Sequence, residues 1–223
     1  MPVVAPLLPS HDFRAVMLRS ERMLLRSFVP GDAPEIFMNA LPAISHYMNW
    51  AASPSLESFE TVWRAWLADL AEGREATLVA RCAESLEFLG IAGLHFNVRG
   101  EAEAGVWIKD PARGQGHGAE AVAAIVAWAC QTLGLEAVLF AAVESNTASR
   151  RIAEVLGGVP VGRPAQHHPS GPSTAMVVYR IPGAPRAGVA SVAPAALQGA
   201  PARSSARPGR RRARGRVGSE ALG

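Results

Sequence analysis

Arg113-Gly114-Gln115-Gly116-His117-Gly118 is the stretch of this chain best suited to chemistry. A strand-like run, Gly105-Val106-Trp107-Ile108, precedes it. A helix-like run follows, with Val122, Ile125, Val126, Ala129 and Leu133 on one face. A strand, a glycine loop and a helix start together make an anion site. The first backbone N–H groups of a helix have no intrahelical partner, and the peptide dipoles add to positive charge there. The glycines let backbone approach a bulky phosphate, and Arg113 adds a fork of donors. The residues from Arg113 to Gly118 are therefore read as a pyrophosphate cradle.

Other loops share this look. A nucleotide P-loop ends in Gly-Lys-Ser/Thr, but Lys109 is the only lysine in the chain. Gly116-x-Gly118-x-x-Ala121 fits a dinucleotide fingerprint in form. That motif wants an acid about 20 residues on, at the end of the next strand. Glu136 precedes that strand and Glu144 ends it, and too little chain remains for the further βα units required. A plain glycine-rich turn is the structural alternative.

The elements that must position the loop follow from periodicity. Glu21–Phe28 reads as a first strand. Asp32-Ala33-Pro34-Glu35 reads as a helix start with Asp32 as N-cap. Leu56, Phe59, Trp63, Trp66 and Leu70 form a helix stripe ending at Gly73. Ala76–Cys82 and Phe88–Phe96 read as a hairpin. The helix after the loop stops at Gly134. Ala137–Val143 is almost wholly apolar, as a strand buried on both faces is, and runs parallel to the strand before the loop. Asn146-Thr147-Ala148-Ser149 opens another helix with Ile152, Val155 and Leu156 inward. Val159–Val161 and Ala175–Ile181 close the sheet, with a loop at Arg163–Thr174 carrying His167.

Composition bounds the rest. The chain of 223 residues is 49% apolar, enough for one domain with a sizeable core. It has no apolar run long enough for a membrane span, and its N-terminus lacks the basic start and cleavage pattern of a signal peptide. Cys82 and Cys130 have no metal-ligand spacing and read as free thiols in a reducing cytoplasm. The net charge of +3 hides a segregation. Residues 183–223 hold eight arginines and one acid, and the remainder carries a balance of −4. That Ala/Pro/Arg-rich tail reads as disordered. Arg210–Arg216 offer RNA or another polyanion an electrostatic contact, although composition alone favours a solvated extension.

Three motifs, in order, resemble the GNAT superfamily of acetyltransferases. Glu103-Ala-Gly-Val-Trp-Ile-Lys-Asp-Pro-Ala-Arg-Gly-Gln-Gly-His-Gly-Ala-Glu-Ala-Val122 resembles its central motif. The likeness is greatest to the branch of ribosomal-protein N-terminal acetyltransferases, with E-x-G-Y-W-L-x-P-x-Y-R-G-K-G-Y-A-T-E-A. Asn146-x-x-Ser149-Arg150-Arg151…Glu154-x-Leu156-Gly157 resembles that branch's N-x-x-S-x-x…E-x-L-G-F, and Glu21-Arg22-x-x-Leu25-Arg26…Asp32 its opening E-R-L-x-L-R…D. The resemblance covers residues from about 20 to 182. It implies an α/β fold with a mixed, mostly antiparallel sheet of six or seven strands, helices on both faces and two splayed central parallel strands. It also implies acetyl-CoA as acyl donor and no metal.

By position, the resemblance assigns Trp107, Ile108 and Lys109 to backbone pairing with the pantetheine arm. It assigns Arg113–Gly118 to the pyrophosphate, and Asn146 and Ser149 to the pantetheine and thioester end. Ala153 stands where many relatives carry a tyrosine general acid, so that acid is not used here. Val106, Ala112 and Gly158 replace aromatics of the pattern.

Acetyl transfer needs a deprotonated amine, donors at the carbonyl oxygen and a proton for the leaving sulfur. Neither cysteine sits on a nucleophile motif, so direct attack in a ternary complex is expected. Ser149 is the candidate acid at sulfur, with helix capping as its alternative role. Glu103 is the candidate base, with His95, Glu144 and His167 behind it. The acceptor is expected to be a protein N-terminus or a small amine such as a polyamine or aminoglycoside. The protein would act as a monomer or homodimer. A non-catalytic acyl-CoA sensor or RNA- or ribosome-binding module is the alternative function.

Overall fold

The structure, a computed structural model, describes residues 11–39, 55–97, 100–162, 165–166, 174–183 and 190–191. The described strands are β1 (Met17–Arg19), β2 (Met23–Ser27), β3 (Glu75–Cys82), β4 (Phe88–Phe96), β5 (Ala102–Ile108), β6 (Ala137–Val143), β7 (Val159–Gly162), β8 (Ala165–Gln166), β9 (Thr174–Pro182) and β10 (Ala190–Ser191). The described helices are α1 over 33–39, α2 (Leu56–Glu72), α3 (His117–Thr132) and α4 (Thr147–Val155).

One sheet runs β10-β1-β2-β3-β4-β5-β6-β9-β7, with β8 paired to β9. The seven principal strands expected are present, and β1, β8 and β10 are short additions. β10 pairs antiparallel with β1 through Ala190 and Ser191, a contact that the tail's composition does not announce.

Helices cover both faces. α2 starts at Ser55, whose Oγ accepts the Ser58 N–H at 3.0 Å, and ends at Gly73, left-handed at φ 70°. A Cβ on Gly73 would sit 2.1 Å from the His11 carbonyl oxygen, so position and conformation both demand glycine. α2 brings Val62 and Trp66 over the sheet face that carries Thr77, Gly93 and Glu103. α3 lies on the other face. Its Val122, Ile125, Trp128 and Ala129 are buried, and Gly118 faces the Ile108 side chain.

Three local expectations need correction. Asp32 does not cap a helix as N-cap. It lies in a short 3-10 turn, buried, where its carboxylate accepts the Val29 N–H at 3.0 Å and pairs with Arg26 at 2.6 Å and Arg81 at 3.1 Å. β6 is not buried on both faces. Val138, Phe140 and Ala142 are buried while the residues between them are half-exposed, because one face looks into an opening in the sheet. On α4, Ile152 and Leu156 pack against the core as expected, but Val155 is 51% exposed and Ala153 is buried in its stead. Cys82 and Cys130 are unpaired and half-buried. No described helix is long and apolar enough to cross a membrane.

Candidate active site

The site is built on unequal pairing at the two edges of β5. On the β4 side, β5 pairs continuously from Phe96↔Ala102 to Gly90↔Ile108. On the β6 side it pairs in parallel at Glu103↔Leu139 alone. Past that rung β5 and β6 part toward their C-terminal ends.

Backbone groups of neighbouring residues on a strand point to alternate sides. Lys109 N–H donates to the Leu89 carbonyl at 2.9 Å, and the Trp107 carbonyl lies against Gly90, so these residues face β4. Val106 and Ile108 therefore face the gap. The expectation that Lys109 and Trp107 pair with a pantetheine arm meets this geometry. The Lys109 carbonyl is also taken, accepting the Ala112 N–H at 2.9 Å, and its ammonium pairs with Glu87. Of the three residues assigned by resemblance, only Ile108 presents its amide to the gap.

The glycine loop stands at the open end of the gap. Gly114 and Gly116 have φ of 75° and 84°, a region that side chains disfavour. Gly116 is the N-cap of α3, and no side chain caps that helix. Gly118 differs from these: its neighbour is the tip of the Ile152 side chain of α4, 2.9 Å from where a Cβ would stand. It sets the close approach of α3 and α4. The Arg113 side chain turns back, donating from Nε to the Ile108 carbonyl at 2.9 Å and pairing with Asp110 at 2.8 Å. Gln115 Nε2 donates to the Pro111 carbonyl at 3.1 Å, and His117 Nδ1 lies 3.1 Å from the Ala112 carbonyl. Side chains thus fix the loop's shape.

Arg22 completes that bracing, and sequence reasoning did not single it out. Its Nη1 donates to the Gln115 carbonyl at 2.9 Å, and its Nη2 pairs with Glu120 at 2.6 Å. Burial raises the Glu120 pKa, but hydrogen bonds from Ser20 and Arg22 outweigh it and hold the carboxyl below its ordinary value. The Arg22 charge thereby offsets a carboxylate at the positive end of α3.

Between the strands lies a cavity of about 440 Å³. From the α4 side Asn146 and Ser149 line it; from the α2 side, Val62 and Trp66; from the sheet, Glu75, Thr77, His95, Glu103 and Gly105. Asn146 Oδ1 accepts the Ser149 N–H at 3.0 Å, so Asn146 is the cap of α4 and the Ser149 hydroxyl is not used for capping. Glu144 is not among the lining residues, and His167 lies outside the described residues.

Burial pushes the Glu103 carboxyl up, opposed by nearby His95 and aided by Glu101. It pushes Glu75 up as well, opposed by His95 and by a hydrogen bond from Thr77. Sequence reasoning missed Glu75. Its only signal is strand register, which places it directly opposite His95.

The model of the acetyltransferase (GNAT) domain family matches residues 22–159 of the chain. This protein belongs to the GNAT acetyltransferase family. Solved structures agree on the fold. A GNAT-family acetyltransferase of Bacillus anthracis superposes with a TM-score of 0.63 at 16% identity, over 74% of this chain and 98% of that one. RimL, a ribosomal alpha-N-protein acetyltransferase bound to coenzyme A, gives 0.64 at 15%, over 75% and 98%. Spermidine N-acetyltransferase of Vibrio cholerae, bound to coenzyme A and spermine, gives 0.62 at 18%, over 73% and 96%. No curated protein matches this sequence.

Proposed function

We propose that this GNAT protein transfers an acetyl group from acetyl-CoA to a primary amine by direct attack in a ternary complex. The carrying observation is the gap between β5 and β6. It opens into a cavity with a serine and an asparagine on one side and two raised carboxyls on the other. The residues fit acetyl-CoA. The left-handed glycines and the uncapped α3 suit a diphosphate held by the amides of Gly114–Gly118, and the edges of Val106 and Ile108 suit an extended amide-bearing arm.

Acetyl-CoA would supply a thioester carbonyl as electrophile and a thiolate as leaving group. The chain's residues do the remainder. The Ile108 N–H donates toward developing charge on the carbonyl oxygen. Glu103 accepts a proton from the acceptor ammonium, since an ammonium has no lone pair. Its raised pKa brings it nearer to the working pH of a general base. Ser149 donates the proton that the departing sulfur takes up.

Among the described residues, no lysine or arginine lines the cavity, and its acidic groups are Glu75 and Glu103. That suits a cationic amine, whether a polyamine-like molecule or a protein N-terminus. The two unpaired cysteines suit work in the cytoplasm. A second reading, an acyl-CoA sensor without turnover, draws on the fully buried Ala153 at the position of the family's tyrosine acid.

Thiol release from acetyl-CoA, followed over N-terminal peptides, polyamines and aminoglycosides, tests the proposal. Transfer to one class supports it. Binding of acetyl-CoA with no turnover on any amine selects the sensor.

A further inference from the structure

Glu75 on β3, His95 on β4 and Glu103 on β5 stand in one cross-strand row. The register pairs Glu75 with His95 and His95 with Glu103. Side chains directly opposite on antiparallel strands have Cβ atoms about 5 Å apart, within reach of a carboxylate–imidazole contact. All three line the same cavity. Among the described residues no three His, Cys, Asp or Glu side chains converge as metal ligands would, so the trio is a line and not a ligand set.

The two ends of the line differ. Glu103 sits at the rung where β5 last touches β6. Glu75 opens β3, two residues after the left-handed Gly73 that ends α2, and takes a hydrogen bond from Thr77 Oγ1 at 3.2 Å. The charged neighbours are few. Asp69 of α2 lies near Glu75 and is itself paired with Arg74. Glu101 lies near Glu103, and the residue opposite Glu103 on β6 is Leu139, which does not titrate.

Proton bookkeeping gives such a line a task. An ammonium acceptor loses two protons when it becomes an amide. One goes to the departing sulfur, and the other must leave the cavity while substrate blocks the gap. We infer that Glu103, His95 and Glu75 form the exit path for that second proton, with Glu75 a positioning residue acting through His95. This rests on the acetyl-transfer reading.

The steps balance. The ammonium gives one proton to the Glu103 carboxylate, and the freed nitrogen lone pair forms the C–N bond as the C–S bond breaks. The departing sulfur takes the Ser149 hydroxyl proton, and the second proton of the acceptor nitrogen restores that hydroxyl. Glu103 passes its proton to one His95 ring nitrogen while the other ring nitrogen gives its proton to the Glu75 carboxylate. Glu75 releases that proton to water, and tautomer exchange resets the ring.

The test uses the full chain with an amine that it acetylates. Glu75→Gln should lower kcat about 10-fold and leave KM for acetyl-CoA unchanged, because it removes a proton acceptor and no binding group. Glu75→Asp should keep most of the rate, and added formate should restore part of it to Glu75→Ala. An unchanged kcat in Glu75→Gln, or a loss shared with KM for acetyl-CoA and not rescued by formate, overturns the path.

Melting provides a readout independent of turnover. The Tm shifts of Glu75→Gln and His95→Gln should be non-additive in the double variant, since directly opposed cross-strand neighbours couple. Additive shifts overturn the row alone. Failure to acetylate any amine overturns the transfer reading and the path with it.

Discussion

The two edges of β5 are paired very unequally. The β4 edge is zipped from Ala102 to Ile108, and the β6 edge is joined at Glu103 alone. One strand thus serves two purposes. Its closed edge anchors Trp107 and Lys109, and that anchoring holds Val106 and Ile108 with backbone groups facing an open gap. Two glycines of the closed seam tolerate change differently. A Cβ at Gly90 would lie 2.0 Å from the Trp107 carbonyl oxygen, whereas Gly105 has nothing within 4 Å.

The contrast can be broken or sharpened in order of expected effect. Removing the base at the open edge should do most: Glu103→Gln should lower kcat by about 100-fold or more. Thiol-release kinetics at saturating acetyl-CoA check this.

Next comes the loop beyond the open end. Gly116→Val imposes a β-branched side chain at φ 84° and should weaken acetyl-CoA binding by roughly 100-fold, a change that calorimetry reads directly.

Those two glycines come third. Gly90→Ala should cost about 3 kcal/mol of stability in a denaturant melt. Gly105→Ala should stay within about 0.5 kcal/mol while raising KM for the acceptor. Equal costs at the two positions would erase the asymmetry.

Arg22→Ala should weaken acetyl-CoA binding about 10-fold, because it frees the Gln115 carbonyl and leaves Glu120 uncompensated at the helix start.

The smallest effect is on stability against pH. Burial raises the folded-state pKa of Glu75, so the folded chain holds that proton more tightly than the unfolded chain. The resulting stability is present below the ordinary carboxylate range and is lost as pH rises through the folded value. Glu75→Gln should therefore raise Tm relative to the parent at about pH 8 more than at about pH 4.

Much of this was legible before any coordinates. The strand–glycine–helix unit at 105–133 and the glycine stop at Gly73 are local signals that each element carries by itself. So is the parallel relation of β5 and β6, which follows from the helix between them. What the sequence hid depends on register and long-range approach. Glu75 looks like any acid at a strand start until the pairing sets it opposite His95. Gly118 looks like a third phosphate-loop glycine until Ile152 of α4 arrives beside it. Asp32 has the sequence surroundings of an N-cap, but Arg26 and Arg81 from neighbouring strands draw it into a buried ion pair. The β4 bond of Lys109 is likewise invisible without the partner strand.

Amide exchange along β5, followed by NMR with and without coenzyme A, tests the central claim most directly. Coenzyme A should slow exchange at Val106 and Ile108 and leave Trp107 and Lys109, already held by β4, unchanged. Coenzyme A binding with Val106 and Ile108 exchanging as fast as before would contradict the account.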